Sequence, residues 1–311
     1  MTRHHTPRAQ RPGFTLPELM IAMVLTSLVM GTLITVIVRQ QRFYRGATEV
    51  IDTRSQTRQA INLLPNDLRM LSSNLGDLVT MRDSSVEINA TVGSAVACRV
   101  GLLSITLPPL NAVNGPFTSW TAPPRVGDAA HVYIDTLGTF RVHEITAVDS
   151  NTVQCPGGPG TFLDAVADAG KWRYQLVLSP APTVTDQVAG APVRITRRVR
   201  YSLYQSPTDR QWYLGYRDQT AVATGLNPVL NPVQPVSGPY RPYATDGTSG
   251  IRFLYFTSTG VQTAVPSQVA RIDVAVRATT AGQIHIAGMR TDADKRRSHT
   301  DSLSIALRNR W

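Results

Sequence analysis

An uninterrupted apolar segment near the N-terminus constrains the fold of this chain more than any other feature. It covers residues 14–38 and follows a basic leader, residues 1–13, that contains three arginines and no acidic residue. As a helix the segment would be about 37 Å long, enough to cross a bilayer with some tilt. A cleavable secretory signal has small residues after its apolar core, whereas here the small residue, Gly13, precedes it. The pattern predicts a leader that is removed while the helix is kept.

Glu18 is the one ionisable residue within the apolar segment. A carboxylate inside a membrane costs about 2.5–3.5 kcal/mol near the centre and less near an end, so its presence calls for a partner. Cleavage before Phe14 would create an α-amino group, and that group on a neighbouring subunit could neutralise Glu18 and fix the stagger between two helices. An acid at a helix N-terminus is also favoured by the helix dipole alone. We predict an assembly role for this carboxylate.

The residues around the predicted cleavage point resemble a known signal. Gly13-Phe14-Thr15-Leu16-Pro17-Glu18-Leu19-Met20 is similar to the class III signal of type IV pilins and type II secretion pseudopilins. The resemblance implies cleavage by a prepilin peptidase between Gly13 and Phe14, N-methylation of Phe14, and an assembly charge at Glu18. It also implies partners: major and minor pilins, bound through the N-terminal helix, and an inner-membrane assembly platform.

The same resemblance sets the expected location. Three basic residues flank the apolar segment on each side, so charge alone does not orient it. The family pattern implies a single-pass inner-membrane protein with most of the chain in the periplasm. The same pattern implies that the protein later enters a pilus or pseudopilus at the cell surface.

Helical periodicity continues beyond the membrane segment. Leucine and isoleucine recur three or four residues apart at Ile61, Leu64, Leu68, Leu71 and Leu75. We predict that residues 39–76 form an exposed, amphipathic half of the same helix, which docks on a sheet. Pro65 predicts a kink or break near Leu64, and Gly76 a stop.

After residue 84 the periodicity changes to two, which is typical of strands. Residues 84–190 are predicted to be a β-rich insertion with a hairpin over 131–135 and 140–148, and residues 191–311 a pilin-type antiparallel sheet. The clearest alternation runs from Val193 to Tyr204, where Arg197 is the exception on the apolar face. The predicted fold class is α+β, with the long helix packed on the sheet. The C-terminal strands resemble the minor pilin W and pseudopilin J group, and the extra β region favours the pilin W type.

Charge and cysteine content limit the possible ligands. The formal net charge is +10, but the basic residues are scattered, so nucleic acid is not expected as a direct ligand. A DNA-uptake role would depend on Arg194, Arg198 and Arg200. Cys98 and Cys155 are the only cysteines; they form a disulfide if the domain is exported, or remain buried thiols.

The sequence contains no complete catalytic motif, so we expect no enzyme activity and no cofactor. Two groups of residues resemble metal ligands, but we predict that neither binds a metal. They are His131 and His143 with Asp135 or Glu144, and the trio Asp292, Asp294 and Asp301. The resemblance to the minor pilins implies a minor pilin-like subunit of a type IV pilus that helps to initiate or cap a filament. The alternatives are a type II secretion pseudopilin J and a membrane-anchored binding protein with a pilin leader.

Overall fold

The computed structural model of the protein describes residues 15–152, 155, 163–164, 166–183, 187–220, 229–284 and 296–307. It contains one long helix, α1 (Leu16–Leu68), and a short 3-10 helix (Pro266–Gln268). The strands are β1 (Leu78–Met81), β2 (Ser85–Val96), β3 (Arg99–Val100), β4 (Ser104–Thr106), β5 (Thr118–Trp120), β6 (Ala129–Ile134), β7 (Thr139–Asn151), β8 (Arg173–Ser179), β9 (Pro192–Gln205), β10 (Trp212–Thr220), β11 (Val229–Leu230), β12 (Gln234–Tyr240), β13 (Ile251–Phe256), β14 (Arg271–Thr279) and β15 (Ser298–Ala306).

The chain divides into two units. The first contains the helix as far as Asp52 together with the described residues between Thr280 and Arg297. The second contains the rest of the helix and both sheets. The predicted α+β class, one long N-terminal helix with a large antiparallel sheet, is confirmed.

In the second unit, the last turns of α1 bury one stripe of side chains. Its members lie three or four residues apart, as expected for one face of a helix. They are Thr53, Thr57, Ala60, Leu64 and Leu68. Its apolar members, Ala60, Leu64 and Leu68, pack in a first apolar core, to which β2 and β9 of one sheet and β13 and β14 of the other also contribute. The sequence pattern predicted the leucines but missed the start of the stripe, where threonine and alanine take the buried positions.

The end of the helix differs from the prediction. The helix does not break at Pro65; it runs through this residue and ends at Leu68, well before residue 76. Proline removes one backbone donor from the helix, but the Pro65 carbonyl still accepts a bond from the Arg69 amide at 3.0 Å. Beyond the helix, the buried Asp77 carboxylate accepts the Ser72 amide at 2.6 Å and fixes the turn. Gly76 lies within that turn with a φ of +77°, a conformation that suits glycine.

The larger sheet has 12 strands, and β9 is at its centre. One edge of β9 pairs with β2 over almost its whole length. Its other edge pairs first with β6 and then with β10. The hairpin predicted in this region is confirmed, because β6 and β7 pair antiparallel. The smaller sheet has the order β13-β14-β15.

A second apolar core lies among β2, β4, β6, β7, β8 and β9. The register of β2 against β9 shifts between Thr91 and Gly93, near the point where β2 passes from the first core to the second. The Trp120 ring packs against Gly93 so closely that a Cβ atom there would clash with the ring. Both β2 and β9 contribute side chains to the two cores. The boundary at residue 190 between the β-rich insertion and the pilin-type sheet therefore stays a prediction from the sequence.

Arg197 lies on the inner face of β9, between residues of the two cores. Its guanidinium donates to both carboxylate oxygens of Asp128, each at 2.8 Å, and to the Pro123 carbonyl at 2.9 Å. Both side chains of the ion pair are less than a tenth exposed. The bonds to Asp128 raise the pKa of Arg197 despite its burial. A charge on the apolar face is thus compensated by a two-point contact.

Candidate functional site: the N-terminal helix

The first unit exposes a long apolar surface. Every described side chain from Thr15 to Arg45 is exposed. The helix is long and apolar enough to cross a membrane, and no residue in its most apolar stretch is buried. A soluble core helix would instead be buried in its own domain. This surface therefore calls for a membrane or other helices as its surroundings.

The serine and threonine hydroxyl groups of residues 16–38, the membrane-spanning part of α1, form hydrogen bonds within the helix. Each donates to a backbone carbonyl three or four residues earlier. The bonds are Thr26 to Ala22 at 2.7 Å, Ser27 to Met23 at 2.6 Å, Thr32 to Val29 at 2.8 Å and Thr35 to Gly31 at 2.8 Å. Such bonds lower the cost of placing serine and threonine in hydrocarbon.

Glu18 is exposed in the first turn of α1. No ion pair joins its carboxylate to the described part of the chain. Its position near the helix N-terminus favours a negative charge. The predicted cleavage point, Gly13–Phe14, lies outside the described residues. The geometry thus presents a single acid near the beginning of an apolar helix.

The exposed part of the helix ends within the first unit. Gly46 and Val50 are buried, and the Gly282 amide donates to the Glu49 carboxylate at 2.9 Å. Just before this point, Arg39, Arg42 and Arg45 are all exposed.

Cys98 and Cys155 are joined by a disulfide in the structure, with Cα atoms 5.5 Å apart. Both are buried and pack with Leu163. Close by in the sequence, the buried Asp168 carboxylate accepts the Val113 amide at 3.0 Å and the Lys171 ammonium at 2.8 Å. Burial raises the pKa of Asp168, but these bonds outweigh it and the net pKa is lowered. The loops that surround the disulfide are therefore tied together by a second, polar contact.

The two histidines of the hairpin have separate bonds. His131 Nε2 lies 3.0 Å from the Thr196 hydroxyl, and His143 lies between the Pro180 carbonyl and the Gln187 side chain. Burial, with a contribution from the Arg194 charge, lowers the pKa of His131 to about 4.

A metal would need further ligands beside these histidines. The described residues contain no cluster of three or more metal-binding side chains. Asp301 lies on β15, whereas Asp292 and Asp294 lie outside the described residues.

The three arginines considered for DNA uptake do not form one free basic face. The Arg194 guanidinium donates to buried Asp77 at 2.8 Å, and Arg198 donates to Glu87 at 2.5 Å. Arg200 donates to the Ser85 hydroxyl at 3.3 Å. These acidic partners could not be predicted from the sequence, because Asp77 is 117 residues from Arg194 and Glu87 is 111 residues from Arg198.

An exposed apolar helix with one acid near its start, continued by an α+β domain, fits the architecture of pilin-like proteins. Residues 8–34 match the family model described as the prokaryotic N-terminal methylation motif. The chain thus carries a prepilin-type signal, which points to a pilin-like or pseudopilin protein with a membrane-anchored helix. No curated protein and no solved structure matches this chain.

Proposed function

We propose that this protein is a minor pilin-like structural subunit of a type IV pilus, which helps to initiate or cap filament assembly after processing by prepilin peptidase. The observation that carries the proposal is Glu18, the only ionisable residue of the apolar segment 14–38, which lies within the matched motif. The proposed role is structural and needs no catalytic group.

Charge pairing explains why an acid is placed there. Cleavage after Gly13 gives Phe14 a free α-amino group, which the peptidase methylates. In a bundle of such helices, the Glu18 carboxylate of one subunit pairs with the Phe14 amino group of another. Burying either charge alone among apolar side chains would cost free energy, and pairing the two charges lowers that cost. The pair therefore favours one axial stagger over all others.

The division of the helix supports the same role. Residues 15–38 offer apolar surface for neighbouring pilins, while residues 53–68 anchor the helix in the folded second unit. Before assembly the protein is held in the inner membrane as a single-pass protein, with most of the chain in the periplasm. An inner-membrane assembly platform then transfers it into the filament at the cell surface.

A type II secretion pseudopilin J is the second candidate, favoured by the same motif match, since pseudopilins carry this signal too. Deleting the chain separates the two: a pilus subunit is needed for piliation, and a pseudopilin for secretion of folded proteins. DNA uptake through Arg194, Arg198 and Arg200 is less well supported, because Asp77 and Glu87 already neutralise two of these charges.

The test is incorporation of Glu18 variants into filaments. We expect Glu18→Ala to be cleaved and membrane-inserted like the natural chain but strongly depleted from sheared filaments, whereas Glu18→Asp retains part of the incorporation. Thr15→Ala is a matched control, because it changes an exposed residue in the same region without a charge. Equal incorporation of Glu18→Ala and Thr15→Ala would contradict the proposed role.

A further inference from the structure

The exposed part of the helix ends in a cluster of charge and aromatic side chains. Arg39, Arg42 and Arg45 are exposed at intervals of three residues. Between them lie Phe43, 54% exposed, and Tyr44, 68% exposed. We refer to these five residues as the arginine collar.

The three guanidinium groups of the collar have no partner in the described part of the chain. None makes a hydrogen bond or an ion pair there. Like charges three residues apart on a helix repel one another, so the arrangement is unfavourable until anions approach it. This differs from Arg194, Arg197 and Arg198, which all bond to carboxylates.

The position of the collar along the helix indicates which anions lie close to it. Arg39 follows Glu18 by 21 residues in the sequence. A helix of this length rises about 31 Å, close to the roughly 30 Å thickness of a bilayer's hydrocarbon core. When Glu18 lies at one boundary of the hydrocarbon, Arg39 therefore lies at the other.

The rest of the collar then falls in the headgroup layer. Arg42 and Arg45 lie about 4.5 and 9 Å further along the helix axis. Aromatic side chains concentrate at the same depth in membrane proteins, because one end of each ring is apolar and the other is wet. Phe43 and Tyr44 match this preference.

We propose that the arginine collar binds the phosphates of anionic phospholipids in the leaflet nearer the folded domain. The collar holds the helix at a fixed depth before assembly. The inference rests on the membrane anchoring within the proposed function but not on incorporation into a filament. A guanidinium beside an anionic leaflet contributes about 1 kcal/mol, which corresponds to about fivefold selectivity per contact.

The test uses the full chain reconstituted in vesicles of phosphatidylcholine and phosphatidylglycerol. Electron spin resonance with spin-labelled lipids measures the relative association of each lipid with the protein. We expect labelled phosphatidylglycerol to be preferred over labelled phosphatidylcholine by up to about fivefold, because the measurement averages over all lipids in contact with the protein. The preference should fall to about one in the triple variant Arg39→Gln, Arg42→Gln, Arg45→Gln, and it should weaken in high salt.

A charge-matched control lies further along the chain. Arg54 and Arg58 on α1 and Arg69, directly after its end, are also exposed, and Arg54 follows Arg39 by 15 residues in the sequence. The corresponding triple glutamine variant should keep the lipid preference. The proposal is overturned if the natural chain shows no preference, or if both triple variants lose it equally. If the chain does not insert at all, as judged by protection of residues 14–38 from protease, membrane anchoring itself fails.

Discussion

Removing the disulfide should weaken the second unit by an amount that its loop length sets. Cys98 and Cys155 are 57 residues apart in the sequence. Closing a loop of this length in the unfolded chain removes entropy worth about 4 kcal/mol at 25 °C in the chain-entropy model. We therefore expect the double variant Cys98→Ala, Cys155→Ala to lose about 4 kcal/mol of unfolding free energy. Alanine is the appropriate replacement because both sites are buried, and a serine hydroxyl there would add its own cost.

The assay is urea unfolding of the full chain in detergent, followed by tryptophan fluorescence. Trp120 packs against the second core and Trp212 against the first, so together they report on both. Dithiothreitol should destabilise the natural chain by about the same amount as the double variant and leave the variant unchanged. A loss below about 1 kcal/mol, or an equal effect of reductant on both proteins, would refute the loop-entropy reasoning.

Three further predictions concern single side chains. The pKa of His131, lowered to about 4, means that the unfolded chain binds a proton here at higher pH than the folded chain. Unfolding free energy should therefore fall by up to about 3 kcal/mol between pH 6.5 and pH 4, and the difference between the natural chain and His131→Gln in urea unfolding isolates this part. Leu68→Ala, in the fully buried stripe, should cost about 2–5 kcal/mol, whereas Leu28→Ala, on the exposed span, should leave urea unfolding of the second unit unchanged. Asp128→Ala should cost about 3–5 kcal/mol because it leaves the Arg197 charge buried, and adding Arg197→Met should restore part of the loss; a larger loss in the double variant would contradict this.

The elements with a strong hydrophobic period could be predicted from the sequence. The apolar run predicted the first part of α1, and the alternation around Val199 predicted β9. The end of the helix could not be predicted, because the spacing of the leucines continues to Leu71, which is buried although it lies outside the helix. Periodicity records which side chains are buried, not which hydrogen bonds the backbone makes.

The polar contacts of the second unit were also beyond sequence analysis. Arg197 was recognised as an exception to the alternation, but its partner, Asp128, is 69 residues away in the sequence. The bond from the Tyr201 hydroxyl to Asp67, at 2.6 Å, joins residues separated by 134 positions. Such pairs depend on sheet topology, which no local pattern encodes. Glu18, by contrast, could be found in the sequence because its importance comes from its position in a local motif.

Processing between Gly13 and Phe14 is tested by the N-terminal peptide of the protein, measured by mass spectrometry from membranes of cells with and without prepilin peptidase. We predict a chain that begins at methylated Phe14 only when the peptidase is present. Retention of residues 1–13 in both strains, or cleavage after residue 38, would contradict it.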